Sequence, residues 1–366
     1  MQLRAFQREA LAHLYAHDPR HVLCIAATGS GKSLIYEEAA KRYRLLLVTP
    51  LVALARQQVA SLVAKGIEAS STDRNAHVFV ASPESLAKKG RVHADLLVVD
   101  ECHCIWEWAE HFRTDFAFIP NLIHDWSIRR SLWLTATLPA LAKKQLLAAI
   151  KAPVVEVGHF AMPHQVAVRV IACAQAEKLE ILRTFLSGTE DPGIIYVHTR
   201  VFAERLTRLC QAEGRSVAMY HAGMAREERL AIENAMRQGL LRLVIATSAF
   251  GMGMNYTQIR FVLIWQSPPS LLSLVQMMGR VGRLEHEHQR AIVLWDADND
   301  PHSFAWMLQT DKAVESAQEL ITFLSDKSAC RRALLASYFG SNESACGFCD
   351  YCQNNTSPFL EKTLVI

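Results

Sequence analysis

Three stretches of this 366-residue chain place side chains at spacings suited to phosphate chemistry. The first is Ala26-Ala27-Thr28-Gly29-Ser30-Gly31-Lys32-Ser33, which follows an apolar run and opens a helical pattern. Glycines there let backbone N–H groups wrap a phosphate chain, and the helix N-terminus adds its positive end. Thr28, Gly29, Ser30 and Gly31 would line the phosphates, Lys32 would neutralise β/γ charge, and the Ser33 hydroxyl would hold Mg²⁺. Ala26 stands where the general pattern has its first glycine. The second stretch, Leu96-Leu97-Val98-Val99-Asp100-Glu101-Cys102-His103, is a hydrophobic run ending in two acids. Asp100 is placed to complete a Mg²⁺ shell, usually through water, and Glu101 to orient and deprotonate an attacking water. Two solvated acids at a strand end are the plain alternative. His103, two residues on, is a candidate relay of nucleotide state. The third stretch is Gln276-Met277-Met278-Gly279-Arg280-Val281-Gly282-Arg283. Its two guanidinium groups are expected about one helical turn apart, so that both reach the γ-phosphate across a cleft. Arg283 is the first choice for an arginine finger and Arg280 the second, with Gln276 beside them; a salt-bridging surface helix is the alternative.

A fourth cluster differs in chemistry. Of nine cysteines, Cys24, Cys102, Cys104, Cys173 and Cys210 are scattered through apolar segments and read mostly as small buried hydrophobes. Cys330, Cys346, Cys349 and Cys352 follow the spacing C-x15-C-x2-C-x2-C. Four thiolates so spaced suit a closed structural Zn²⁺ site, the trio wrapping the ion and Cys330 bringing the fourth ligand from a helix. A redox or iron–sulfur centre is the rival.

Alternating strands and helices must position these groups. His21–Ala26, Leu45–Val48, Val78–Val80, Leu96–Val99 and Ser131–Leu134 read as buried parallel strands, with helices over 33–43, 52–64 and 139–150. The pattern restarts with strands at Gly193–Val197, Val217–Tyr220, Leu243–Ala246 and Phe261–Ile264. Two α/β units built by βαβ crossovers follow, with a boundary expected near Pro153 to Pro163. From about Asp296 the chain changes to helices ending in the cysteine cluster. Half of the residues are hydrophobic, no apolar run is long enough to cross a bilayer, and the start lacks the order of a signal peptide. The expected compartment is the cytosol, or the nucleus if the source is eukaryotic. A net charge of +3 is a weak pointer to a polyanionic partner.

On these motifs the chain, from Leu3 to Cys352, resembles the superfamily-two helicases and, within them, the RecQ family. The resemblance implies two tandem RecA-like domains with parallel sheets, over 1–157 and 158–295. A helical zinc-binding segment over 296–356 and a tail over 357–366 would follow. Arg4-Ala5-Phe6-Gln7 is similar to the family's first motif, which places Arg4 and Gln7 at the adenine. Thr49-Pro50-Leu51 and Ala81-Ser82-Pro83-Glu84-Ser85 resemble strand-contact motifs. Leu134-Thr135-Ala136-Thr137 resembles the motif coupling hydrolysis to closure, which assigns that role to Thr135 and Thr137. Tyr196–Arg200, Tyr220–Gly223 and Ala246–Met254 resemble motifs of the second domain, the last in a wording close to RecQ. The stretch His103–Arg113 looks like the family's aromatic-rich loop, with Trp108, Phe112 and Arg113 on the matching positions. Stacking of unpaired bases on such rings, with an arginine for phosphate, would sense single strands, unless both rings are core. Cys330-Arg331-Arg332 and the Ala-Ser-Tyr-Phe-Gly connection also match RecQ.

The pattern is departed from in places. Asn255-Tyr256-Thr257 stands for Asp-Lys-Pro, Met277-Met278 for Glu-Thr, and Ala109 and Glu110-His111 for Gly and His-Asp. The chain also stops soon after Cys352, before the winged-helix domain that grips duplex DNA in the family. It is either a minimal member or a part of something longer. The implied activity is ATP hydrolysis with Mg²⁺ driving 3′-to-5′ movement on single-stranded DNA and unwinding of duplex or branched DNA in repair or recombination. Alternatives are an RNA helicase of the same superfamily, a translocase that unwinds weakly without the winged helix, and a DNA-binding scaffold with an idle nucleotide site.

Overall fold

The computed structural model describes residues 2–18, 20–105, 118–250, 258–282 and 289–353. It forms two compact units, Met1–Ala161 with Tyr338–Ser341, and Met162–Ser337 with Asn342–Ile366.

The first unit is built on a seven-stranded parallel sheet. Its strands are β1 (His21–Ile25), β2 (Leu45–Val48), β3 (Ala69–Ser70), β4 (Val78–Ala81), β5 (Leu96–Val99), β6 (Arg130–Thr135) and β7 (Val154–Gly158), in the order β3-β4-β2-β5-β6-β1-β7. Its helices are α1 (Ala5–Tyr15), α2 (Ser33–Ala39), α3 (Val52–Ala64), α4 (Pro83–Lys89), α5 (Leu122–Asp125) and α6 (Ala140–Ile150). Strands β1, β2, β4 and β5 are buried along their whole length, which is why their sequences run apolar without alternation. Helix α4 starts where the Ser82 hydroxyl accepts from Ser85 N and Pro83 fills the first turn. The helix expected to Tyr43 stops at Ala39. From there the chain turns tightly, with Lys41 N bonded to Glu38 O and Arg42 N to Ala39 O, and the Tyr43 hydroxyl donates to Leu14 O at 3.0 Å.

The second unit carries a six-stranded parallel sheet, ordered β10-β11-β9-β12-β13-β8. Its strands are β8 (Val166–Ala172), β9 (Gly193–Tyr196), β10 (Val217–Tyr220), β11 (Leu243–Ala246), β12 (Phe261–Ile264) and β13 (Gln289–Trp295). Its helices are α7 (Lys178–Ser187), α8 (Arg200–Ala212), α9 (Arg226–Arg237), α10 (Leu271–Met278), α11 (Asp300–Phe304), α12 (Asp311–Ser325) and α13 (Arg331–Tyr338). The two units bear out the expected α/β class, tandem RecA-like folds with a small helical appendage. Among the described residues, no helix is long and apolar enough to cross a membrane.

Candidate nucleotide and zinc sites

Strand order decides where the chemistry gathers. Strands β5, β6 and β1 are neighbours, in registers that pair Val99 with Trp133 and Ile25 with Thr135. The loops leaving their C-terminal ends therefore emerge side by side, where ligands of parallel sheets bind. They are the glycine loop after β1, Asp100-Glu101 after β5 and Thr135-Ala136-Thr137 at the end of β6. Backbone bonds lock them together, Ala26 N to Thr135 O at 3.1 Å and Cys102 N to Leu134 O at 2.9 Å.

In the glycine loop, Gly29 and Gly31 have φ of +76° and +83°, conformations that a side chain would strain. Lys32, buried, lays its ammonium on Ala26 O at 2.8 Å and Ala27 O at 3.1 Å. The loop thus already holds its cation over the space where phosphate oxygens belong. Ser30 Oγ is buried with no partner among the described residues, a hydroxyl that fits a phosphate oxygen. Gln7, 2% exposed, links α1 to this loop: Nε2 donates to Gly31 O at 2.7 Å, and Oε1 accepts from Arg4 N at 2.7 Å. One N–H and one lone pair of its amide remain, enough for two bonds to an adenine edge.

Asp100 accepts from Glu101 N at 3.1 Å on Oδ1 and from Gln58 Nε2 at 2.7 Å on Oδ2. Burial, reinforced by Glu101, pushes its carboxyl up to about 7 against the pull of Lys32. A carboxylate kept from water in this way is short of positive charge, which suits a cation site shared with the Ser33 hydroxyl. Glu101 has φ of +51°, rare for a residue with a side chain and a sign of strain held at a functional turn. Its Oε2 lies 3.4 Å from His103 Nδ1. His103 Nδ1 is also 2.9 Å from the Thr135 hydroxyl, which donates to Thr137 O at 2.9 Å and accepts from Thr137 N at 3.1 Å. With the hydroxyl proton given to Thr137, Nδ1 must be the donor to Thr135. A continuous chain therefore runs from the candidate base through His103 to the loop after β6.

Sequence reading missed Gln58 and Tyr36. Gln58 was legible only as a polar residue on the inward stripe Ala55, Gln58, Val59 and Leu62 of α3; its partner lies 42 positions away. Tyr36 is buried one turn beyond Ser33, and burial, then Asp100, hold its phenol well above its ordinary value.

In the second unit, Gln276 sits half-buried on α10. Arg280 follows that helix without continuing it: α10 ends at Met278, Gly279 caps it, and Gly282 takes φ of +91°. The turn is pinned because Gly282 N donates to Gln289 Oε1, and Gly282 O accepts from Gln165 Nε2 at 3.0 Å. Arg283 lies outside the described residues, as do Trp108, Phe112 and Arg113 of the aromatic loop and Asn255-Tyr256-Thr257. At the ends of β9 and β11, Tyr196 donates to Phe250 O at 3.2 Å, and Tyr220 meets the Phe250 ring edge-on at 4.8 Å.

The four clustered cysteines come together. All four Sγ atoms lie within 4.8 Å of one another, with Cys330 to Cys349 at 3.8 Å and Cys346 to Cys352 at 4.0 Å. A tetrahedral Zn²⁺ with bonds of about 2.3 Å sets its thiolates about 3.8 Å apart, so the cage has the right size. Cys330 stands just ahead of α13 rather than on it, accepting from Cys346 N at 3.4 Å. Arg331 forks onto Asp350 with Nε and Nη2 at 2.8–3.0 Å, and Val170 N donates to Asp350 at 3.4 Å. The cage is thereby fastened to β8. Arg332 pairs with Glu343 at 2.9 Å and donates to Met162 O at 2.6 Å.

Comparison with known proteins gives the arrangement its family. The DEAD/DEAH box helicase family matches residues 4–145 and the helicase conserved C-terminal domain residues 177–285. Those two define a helicase core; the RecQ zinc-binding family then matches residues 299–353, spanning the cysteine cage. Across these three matches the chain is similar to the RecQ helicases. An ATP-dependent DNA helicase RecQ from Pasteurella multocida is 29% identical over 369 residues, covering 90% of this chain and 57% of that protein. Its counterpart from Haemophilus influenzae is 27% identical, covering 90% of this chain and 58% of that one. The chain thus spans less than two thirds of the length of these curated relatives. In fold it is similar to Saccharomyces cerevisiae Dbp5 bound to RNA and ADP BeF3, with a TM-score of 0.66 and 18% identity. That match covers 93% of this chain and 88% of that one.

Proposed function

We propose that the chain is the motor of an ATP-dependent DNA helicase that moves 3′-to-5′ on single-stranded DNA and unwinds duplex or branched DNA in repair or recombination. The observation that carries this reading is the chain Glu101–His103–Thr135, which joins a candidate water-activating base to the loop after β6 beside a complete phosphate loop. Its DNA substrate follows the names of its relatives, and its place in repair or recombination the resemblance of its motifs.

The chain's own groups divide the work. Lys32, Ser30 and the loop amides hold the triphosphate, Gln7 and Arg4 the adenine, and Ser33 and Asp100 the Mg²⁺, which when bound draws charge from the phosphates. Glu101 takes the proton of the attacking water. Its close neighbour His103 transmits the change through Thr135 to Thr137. Gln276, Arg280 and Arg283 supply the transition-state charge, with Arg283 as the finger. Trp108, Phe112 and Arg113 sense single strands. Cys330, Cys346, Cys349 and Cys352 hold Zn²⁺ and so stabilise a segment too small for a core of its own. The domains run over 1–157, 158–295 and 296–356.

ATP turnover measured with single-stranded DNA, with RNA and with neither tests the reading. DNA is expected to stimulate turnover and RNA far less, with Lys32→Ala inactive throughout. Equal stimulation by RNA would favour an RNA motor, and no turnover at all an idle site.

A further inference from the structure

We propose that Gln58 is a positioning residue of the nucleotide site: its amide nitrogen orients Asp100, and its amide oxygen accepts from a water of the Mg²⁺ shell. This rests on the reading of Ser33 and Asp100 as the magnesium pair.

The carboxylate of Asp100 is held from two sides, by Gln58 Nε2 at 2.7 Å on Oδ2 and by Glu101 N at 3.1 Å on Oδ1. Rotating the carboxylate breaks one bond or the other. Each oxygen keeps a second lone pair, so the grip leaves Asp100 able to serve a cation's water. The direction of the Gln58 amide is dictated by chemistry: turned over, it would press its oxygen against the carboxylate. Its oxygen must therefore face away from Asp100, and there it is buried with no partner among the described residues.

An amide oxygen buried without a donor is unfavourable, and it persists where a ligand brings the donor. Lys32, the nearby cation, has its ammonium on Ala26 O and Ala27 O. Magnesium binds through one or two protein oxygens and keeps several waters, each a strong donor. Asp100, bonded to Gln58, is one of the two residues assigned to that ion. The Gln58 oxygen thus completes a second ring of contacts around the cation, of the kind that orients metal-bound groups elsewhere.

The test compares wild type, Gln58→Leu and Gln58→Glu. A fluorescent non-hydrolysable ATP analogue is titrated in Mg²⁺ and in EDTA, and the Mg²⁺ concentration for half-maximal ATPase is measured separately. Gln58→Leu is expected to raise that concentration about tenfold and to weaken analogue binding in Mg²⁺ by a similar factor, the scale of one lost hydrogen bond. Binding in EDTA should not change. Gln58→Glu keeps the shape but sets a second carboxylate against Asp100, and its defect in Mg²⁺ should be larger. Should Leu prevent folding, the Glu variant carries the test. Variants that match wild type in Mg²⁺, or that lose affinity equally in EDTA, would overturn the role of Gln58. A wild-type protein that binds no nucleotide would instead overturn the site reading on which it rests.

Discussion

Replacing Thr135 by valine tests the link between hydrolysis and the rest of the motor. The hydroxyl is fully buried and sits at a node of three contacts, with His103 Nδ1 at 2.9 Å, Thr137 O at 2.9 Å and Thr137 N at 3.1 Å. Valine matches threonine in shape, so no cavity opens and the loss is polar. Three buried groups lose a partner at about 1–3 kcal/mol each, which after partial relaxation amounts to about 3–5 kcal/mol. For a unit of this size that lowers the melting temperature by roughly 10 °C. Thr135→Ser keeps the hydroxyl and should cost about 1 kcal/mol, the worth of a buried methyl. Thr137 supplies the control, because its Oγ1 is buried with no partner among the described residues; Thr137→Val should leave stability unchanged. Melting is followed by circular dichroism, and ATP turnover is measured with and without single-stranded DNA. Thr135→Val should reduce DNA-stimulated kcat at least tenfold, a barrier change of about 1.4 kcal/mol, with the KM for ATP nearly unchanged. A Thr135→Val protein that melts like wild type would refute the hydrogen-bond node. One that melts early yet keeps full DNA stimulation would show a structural knot and no relay.

Glu101→Gln should retain nucleotide binding while turnover falls at least about a hundredfold, since an amide cannot accept the water's proton; undiminished turnover would remove Glu101 from its role. Purified protein should carry about one Zn²⁺ per chain, and Cys349→Ser should lose it along with stability, read by metal analysis and melting. Arg331→Ala, which strands buried Asp350, should cost about 3–5 kcal/mol of stability; a metal-free, well-folded wild type would contradict the zinc site. Burial holds His198 below the ordinary imidazole value of 6.5, outweighing its bond to Ser267 and the nearby Asp300. The unfolded chain therefore takes up the proton first as pH falls. The His198 contribution is whole above pH 6.5 and is lost on acidification, so His198→Gln should flatten the fall in stability between pH 6.5 and 5.

Much of this molecule was legible in its sequence, because fully buried parallel strands such as Leu45–Val48 and Leu96–Val99 leave unbroken apolar runs. Sheet margins were not. Strand β7 is half-exposed along most of its length, with no continuous apolar run, and β3 is two residues long. Strand β13 opens on Gln289 and Arg290, polar residues that disguise its start; Gln289 is buried because it holds Gly282. Lys32, Asp100, Glu101 and the four cysteines were legible because their chemistry is written in local spacing. The pairing of Gln58 with Asp100, the node at Thr135 and the fork of Arg331 on Asp350 were not, because each depends on which loops the strand order brings together. The left-handed turn at Gly282 was hidden for a related reason: it is held by two glutamines, Gln165 and Gln289, on other segments.

The central claim is directional, ATP-driven movement on DNA, and strand displacement tests it most directly. Duplexes with a 3′ tail, a 5′ tail and blunt ends, each labelled on one strand, are incubated with the protein, ATP and Mg²⁺. The account predicts displacement from the 3′-tailed duplex alone, lost without ATP and lost in Lys32→Ala. Equal displacement from the 5′-tailed duplex, or displacement that survives in Lys32→Ala, would contradict it.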